Sequence, residues 1–294
     1  MKANYNDHNQ IMALDIGSSK VSCVVARSQI DKKIYVEGIS SISYRSSDEN
    51  KSPNNQELID AIKESFSTAN SGSSTKIQSV IVGLSGAFIN STNVNLNIPR
   101  SDNIKLVTQA DIDSAVKIAK RIDLDEGKEL IHVIPQSFSL DGMPGIRNPL
   151  GMHTTDLKAS CHIIAGSKNN ICNLNKSIVE ADIQPTSQVV GSVATARALL
   201  TAKEREEGTI MIDIGASTTD IAVFSSGSVI HTDSIPIGGN LFTSDVATAF
   251  DIDFNDAEKI KIDHGSATPE RALTTNTINI KPLTFDESVE ITER

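Results

Sequence analysis

Two short stretches of this chain carry residue types suited to phosphate chemistry. Leu14–Val21 reads LDIGSSKV, and Ile212–Ile221 reads IDIGASTTDI. Each puts an Asp at the end of an apolar run, then Ile-Gly, then small hydroxyl residues, then a second apolar run. Gly17 and Gly215 let the backbone turn tightly and approach a phosphate closely. Successive amide hydrogens in such a turn form an anion-binding concavity. Ser18, Ser19, Ser217, Thr218 and Thr219 supply hydroxyl donors, and Lys20 adds a positive charge. Asp15 and Asp213 would repel phosphate directly. They suit the water shell of a Mg2+ ion, which keeps several waters and is held by one or two carboxylates plus phosphates. One such stretch reads as readily as a β-hairpin with a glycine turn; two matched copies point to a phosphate site. The sequence has no G-x-x-x-x-G-K-[ST] loop, and no G-x-G-x-x-G turn follows its first strand. Neither a Walker-type nor a Rossmann-type site is expected.

The remaining chemistry-bearing residues are dispersed. His132, His162, His231 and His264 lack metal-ligand spacing and read as structural or surface residues. Asp111, Asp113, Asp123, Asp125 and Glu126 surround a predicted helix and its end without EF-hand spacing, so they read as a solvated acidic face. Cys23, Cys161 and Cys172 are an odd count without metal-ligand spacing. They are expected to be small buried residues in a reduced compartment.

The elements that must position the two loops follow from apolar periodicity. Gln10–Ala26 and Gly208–Phe224 both read as strand, tight turn, strand. Lys33–Ser43 reads as a third strand. Asn54–Ala69 places Leu58, Ile59, Ile62 and Phe66 at helical spacing, Asn70–Thr75 reads as a loop, and Gln78–Leu84 as a buried strand. A different block follows. Phe88–Ile98 alternates like a half-exposed strand. Thr108, with Asp111 in the first turn, is expected to cap a helix running to Arg121. Leu130–Leu140 and Lys158–Ala165 read as strands, with a loop at Met143–Gly151. Beyond the block come a helix at Asn169–Ala181, a strand at Pro185–Val190 and a helix at Ser192–Ala202. Helices are also expected at Gly239–Phe250 and Asp256–Ile262, and the chain is weakly patterned from Gly265 on.

Bulk properties narrow the class. A chain of 294 residues suffices for one large domain or two ordinary ones. Hydrophobic residues make up 38%, but aromatics only 4% and Trp is absent, so the interior is built from Ile, Val, Leu and Ala. A net charge of -10 argues against a broad basic face, and no nucleic-acid partner is expected. Met1–Gln10 is polar and no signal peptide or membrane-spanning helix is visible, so membrane contact would have to come from a partner or from further sequence.

The paired loops resemble those of the sugar kinase, DnaK-type chaperone and actin superfamily. The chain as a whole resembles the FtsA family of bacterial cell-division proteins. The resemblance is carried by ALDIGSSKV (Ala13–Val21), VGLSG (Val82–Gly86), HVIPQ (His132–Gln136) and GIRNPLG (Gly145–Gly151). It continues through MIDIGASTTDIAVF (Met211–Phe224), HTDSIPIGGNLFTSD (His231–Asp245) and DAEKIKIDHG (Asp256–Gly265). It implies an α/β, actin-like, ribonuclease-H-type two-lobe fold with nucleotide in the cleft between lobes and a small α+β subdomain inserted in the first lobe. The implied limits are 1–85 and 166–190 for the first lobe and 86–165 for the insert. The second, partial lobe would cover 191–264, and 265–294 would start an outer subdomain or form a disordered tail.

The resemblance also implies site roles. Gly17, Ser18, Ser19 and Lys20 match the first phosphate motif, and Gly215, Ser217, Thr218 and Thr219 the second. Asp15, Asp213 and Asp220 match the carboxylates around Mg2+. Gly238, Gly239 and Asn240 match the turn that opens a helix toward the nucleotide, and Glu258 and Lys261 the pair flanking ribose and adenine. ATP and Mg2+ are the implied cofactors. The implied role is linking the tubulin-like FtsZ ring to the inner face of the cytoplasmic membrane at the division site. Filament formation by self-association is implied too, as is recruitment of later division proteins through the insert.

Two departures stand out. Loop two reads Gly215-Ala216-Ser217 where relatives usually carry three glycines, which narrows the space beside the phosphates. The LTGG-type adenosine loop, the rest of the second lobe and the C-terminal amphipathic membrane helix of the family are not found before Arg294, which reads as a fragment or a shortened relative. The expected site therefore has its phosphate half and an incomplete base half. Val189–Ala194 (VVGSVA), where relatives in the superfamily carry a water-orienting Glu or Gln, offers no such side chain, so slow ATP turnover at most is expected. Three rival readings remain. A metabolic sugar kinase would need a catalytic Asp that the inserted block does not show. A PilM-type pilus-assembly adaptor shares fold and insert position, but HVIPQ and GIRNPLG favour the division family. A degenerate scaffold without nucleotide turnover is the third.

Overall fold

The computed structural model describes residues 10–28, 33–44, 56–72, 77, 79–100, 105–268, 277–284 and 288–292. Residues 1–9 and 73–76, on which part of the loop expected at Asn70–Thr75 falls, lie outside these, as do parts of the weakly patterned tail. The chain divides into two compact units, residues 1–213 with 219–235, and residues 214–218 with 236–294.

The first unit opens with β1 (Gln10–Ile16), β2 (Lys20–Ser28), β3 (Ile34–Ser43), α1 (Gln56–Asn70) and β4 (Ser79–Leu84). β1 pairs antiparallel with β2 and parallel with β4, and β2 pairs antiparallel with β3. Met12, Leu14, Val21, Cys23, Val25, Val80 and Val82 alternate onto one face and are fully buried. There they meet Ile59, Ile62 and Ala69 of α1. Each such aliphatic burial contributes about 1.5–3 kcal/mol. α1 crosses β3 so closely that a Cβ at Gly38 would lie 1.9 Å from the Ala69 carbonyl oxygen. A buried serine pair, Ser40 with Ser65 at 2.7 Å, joins the two elements.

The block that follows forms its own antiparallel sheet. It contains β5 (Ile89–Ile98), β6 (Lys105–Leu106), α2 (Gln109–Ala119), β7 (Lys128–Leu140), β8 (Met143–Ile146), β9 (His153–Thr154) and β10 (Leu157–Ser167). The sheet order is β5-β10-β7-β8, with α2 and a separate apolar core of Ile98, Val107, Ala115, Phe138, Leu157 and Ile163. Thr108 caps α2 as expected, and Asp111 in the first turn completes a capping box with it. The segment read as a loop at Met143–Gly151 instead begins with β8, an edge strand that tolerates Pro144 because its outer side needs no ladder bond.

The chain then returns through α3 (Lys168–Glu180) and β11 (Gln184–Val190), which pairs parallel with β4 to give the order β11-β4-β1-β2-β3. The single helix expected at Ser192–Ala202 is two, α4 (Gly191–Leu199) and α5 (Ala202–Glu207). Thr201 caps the second with Glu204, a box that stops the first helix at extended Leu200. Cys172 is exposed on α3, contrary to expectation, because Ile171 and Ile178 set the buried face of that helix; Cys23 and Cys161 are buried as expected.

A second sheet, β12 (Thr209–Ile214), β13 (Thr219–Ser225) and β14 (Ser228–Ile235), repeats the β1-β2-β3 order. The antiparallel block packs against β14 through side chains that bond its main chain. Ser91 donates to the Thr232 carbonyl (2.7 Å) and accepts from its N–H (3.2 Å). Asn93 donates to the Ile230 carbonyl and Gln136 to that of Val229, each at 2.9 Å. His162, fully buried, lies 2.7 Å from Asn93 Oδ1 and 3.1 Å from Thr232 Oγ1. Burial, with His231 nearby, pushes its pKa down to about 4, so the ring is neutral and carries its proton on Nδ1. The structure thus makes this histidine a structural residue.

The second unit holds α6 (Gly239–Phe250), α7 (Phe254–His264) and the hairpin β15 (Thr277–Ile280) with β16 (Val289–Thr292). Its core gathers Ile252, Ala257 and Ile280. No helix among the described residues is long and apolar enough to cross a membrane.

Candidate functional site

Both glycine loops close in the same way. Gly17 N–H donates to the Lys20 carbonyl at 3.0 Å, and Gly215 N–H to the Thr218 carbonyl at 2.8 Å. The closing bond is shared because the residues that start the turn are shared: an Asp near a strand end, then Ile, then a Gly that tolerates the close approach. A Cβ would stand 3.2 Å from the Lys20 oxygen at Gly17 and 3.1 Å from the Thr218 oxygen at Gly215.

In the first unit, loop one leaves β1 beside a set of carboxylates. Asp15 pairs with Ser22 on β2 and Gly83 on β4, and its Oδ1 would stand 3.0 Å from a Cβ at Gly83. Burial of the Asp15 carboxyl pushes its pKa up, the charge of Asp213 pushes it further, Lys20 pulls it back, and Asp220 raises it again. Asp220, buried at the start of β13, accepts a long hydrogen bond (3.4 Å) from Gly86 N–H. The predicted residues Asp15, Lys20, Asp213 and Asp220 are therefore close enough to sense one another. Carboxylates supply the hard oxygens that a hydrated divalent cation takes.

In the second unit, loop two meets the start of α6. Gly238, the N-cap residue, lies so close to the loop that a Cβ there would be 2.5 Å from the Gly215 oxygen and 2.6 Å from the Ala216 oxygen. Gly239 N–H donates to the Gly215 carbonyl (2.9 Å) and Asn240 N–H to that of Ala216 (2.7 Å). Asn240 Nδ2 reaches Ser217 Oγ at 3.3 Å. Lys261 on α7 donates to the Gly239 carbonyl (3.2 Å) and to Thr243 (2.8 Å), and pairs with Glu258 at 2.6 Å. Thr243 also donates to Glu258. Burial would raise the Glu258 pKa, but the Lys261 and Thr243 hydrogen bonds and the Lys261 charge outweigh it and hold it low. Gly215, Ser217, Gly239, Asn240, Glu258 and Lys261 are thus one hydrogen-bonded group, with Gly238 packed against it.

Two contributors, Thr243 and Tyr44, were not singled out from the sequence, and His132 was read there as a structural or surface residue. Thr243 lies one helical turn after Gly239, a spacing available in the sequence. Tyr44 donates its hydroxyl to the Gly17 carbonyl (2.6 Å), 27 residues away in chain order, and its N–H to that of Ser19 (3.0 Å). His132 accepts from Val190 N–H at 3.1 Å, at the β11–α4 junction. Burial and Arg197 hold its pKa low, so this ring also serves structure. The described residues contain no cluster of three or more His, Cys, Asp or Glu arranged to hold a metal directly.

Residues 210–294 match the family model for cell division protein FtsA, and residues 86–165 match that for the SHS2 domain inserted in FtsA. FtsA of Buchnera aphidicola subsp. Schizaphis graminum is 32% identical over 291 residues, 96% of this chain and 69% of that protein. The chain belongs to the FtsA family. FtsA of Borreliella burgdorferi is 34% identical over 89% of this chain and 63% of its own length. FtsA of Escherichia coli K12 is 31% identical over 89% and 62%. The chain thus spans less than two thirds of the length of several FtsA relatives it matches. Among solved structures, the PilM–PilN type IV pilus biogenesis complex is similar with a TM-score of 0.63 at 17% identity, covering 86% of this chain and 69% of that one. At that identity the likeness is one of fold, and the fold is the actin-like α/β fold.

Proposed function

We propose that this FtsA-family chain binds ATP with Mg2+ through its two glycine loops and takes part in division by linking FtsZ to the cytoplasmic membrane and recruiting later division proteins. The observation that carries the nucleotide part is the duplicated turn: Gly17 and Gly215 close onto Lys20 and Thr218 in the same geometry, each preceded by an Asp two residues earlier. Ser18, Ser19, Lys20, Ser217, Thr218 and Thr219 serve as phosphate donors. Gly238, Gly239 and Asn240 hold loop two, and Glu258 and Lys261 flank the sugar and base. Asp15, Asp213 and Asp220 hold Mg2+ through water, which neutralises phosphate charge when bound. The raised Asp15 pKa supports this fit, since a cation would stabilise a carboxylate that burial first, and the Asp213 charge second, disfavour.

The 86–165 block, with its own sheet and core, is proposed as the surface for later division partners. The lobe limits 1–85 with 166–190 and 191–264 are proposed on the same resemblance, as is filament formation. Turnover is proposed to be slow, because Val189–Ala194 supplies no carboxylate or amide to orient water and Val190 N–H is spent on His132. A steady-state rate like that of a metabolic kinase would overturn this.

Calorimetry of ATP binding with and without Mg2+ tests the nucleotide reading; absence of binding in both favours a scaffold without nucleotide. Co-sedimentation with FtsZ, set against binding to a pilus-protein N-terminal peptide, tests the division role.

A further inference from the structure

The geometry points to Tyr44 as a positioning residue that aims the first phosphate loop by capturing the Gly17 carbonyl from behind. This inference rests on the phosphate reading above.

In a trans peptide the C=O of one residue and the N–H of the next point in opposite directions. Whatever holds the carbonyl therefore aims the following amide. Tyr44 Oη donates to the Gly17 carbonyl at 2.6 Å, so Ser18 N–H points away from Tyr44. Tyr44 N–H fixes the Ser19 carbonyl at 3.0 Å, which orients Lys20 N–H by the same rule. One residue thus holds two of the peptide planes of this turn. The phenol is itself well fixed. It packs against the β1–β2–α1 core, and burial pushes its pKa up to about 12, so it remains a donor at any physiological pH.

Loop two achieves the same result by different means. The Gly215 carbonyl is captured by Gly239 N–H and that of Ala216 by Asn240 N–H. Ala216 and Ser217 N–H are then aimed away from α6. The first N–H groups of that helix are occupied by loop carbonyls, so the helix start acts on phosphate through the loop. The common rule is that a turn offers its amides forward when its carbonyls are captured behind. An uncaptured carbonyl could rotate toward the anion and repel it.

Tyr44→Phe removes one neutral hydrogen bond and keeps the ring in its packing. A bond worth about 1 kcal/mol corresponds to an affinity loss of about fivefold. Inorganic pyrophosphate and Mg-ATP, titrated by calorimetry, should both weaken by that factor in Y44F. In ligand-free protein, the Ser18 amide proton resonance should move while those of Ala216 and Ser217 stay, a local signature that general destabilisation would not give. Wild-type protein that binds both ligands, with Y44F binding them equally well, overturns the role of Tyr44 alone. A Ser18 resonance that does not move in Y44F also overturns it. Wild-type protein that binds neither ligand overturns the phosphate reading, and this role with it.

Discussion

Loop one and loop two share a turn but differ in what stands behind it. The Gly17 carbonyl of loop one is held by a side chain, the Tyr44 phenol, reaching from beyond β3. Loop two is held by the main chain of α6, with Gly238 pressed against it. A side-chain latch can be removed without moving backbone. A backbone latch can only be removed by displacing the helix start. The same phosphate geometry is thus expected to be tunable at loop one and brittle at loop two.

The sharpest break of that comparison is Gly238→Ala. Its Cβ would meet Gly215 and Ala216 main-chain atoms at 2.5–2.7 Å, and these cannot rotate aside. Overpacking against atoms that cannot move aside costs about 1–3 kcal/mol, so Mg-ATP affinity should fall by up to about 100-fold, with a lower thermal midpoint. An affinity within a factor of three of wild type would remove the brittleness of loop two.

Asp15→Asn comes next. Losing a carboxylate that holds the water shell should weaken the Mg2+-dependent part of ATP binding by about tenfold, leaving Mg-free binding unchanged or improved. The same variant has a pH signature. The folded-state pKa of Asp15 lies above its ordinary 3.8, so its contribution to stability is fully present below that value and is lost as pH rises through the folded pKa. Ligand-free D15N and wild type should melt alike below pH 3.8, and D15N should become the more stable as pH rises. Parallel melting curves across the range would contradict this.

The smallest expected effect is Asn240→Ala. It deletes only the 3.3 Å bond to Ser217 and keeps the Asn240 N–H to Ala216. A weak neutral bond of about 0.5 kcal/mol gives roughly a twofold loss. A tenfold loss in the same calorimetric titration would show that loop two, too, depends on side chains.

How much of this was legible varies with range in the chain. The turns were legible because Asp-Ile-Gly followed by hydroxyl residues is a local signal, and α6 begins and ends as its periodicity predicts, at Gly239 and Phe250. The insert stood out because its half-exposed strand alternation differs from the buried runs before it. The break at Leu200 was legible in principle, since Thr201 and Glu204 have capping-box spacing, but the apolar period carried through it. Tyr44 was not legible, because a lone aromatic after a strand gives no sign of the carbonyl it will reach. Burial of the paired strands was only half legible. Met12 and Leu14 on β1 are 1% exposed, while Ile210 and Ile212, at the matching positions of β12, are 63% and 56% exposed. The patterns agree, but β1 lies inside its sheet and under α1, whereas β12 ends a sheet. Neighbours from elsewhere in the chain decide burial, and no local pattern encodes them.

The polar side chains laid along β14 have one more consequence. An end strand with free carbonyls and N–H groups is a template on which another chain can add, the first step of many misassemblies. Here Ser91, Asn93 and Gln136 occupy the main-chain groups of Val229, Ile230 and Thr232. The inserted block is therefore also a guard against strand addition. Replacing these three side chains by alanine should be felt as time-dependent aggregation before it is felt as lost affinity for any ligand.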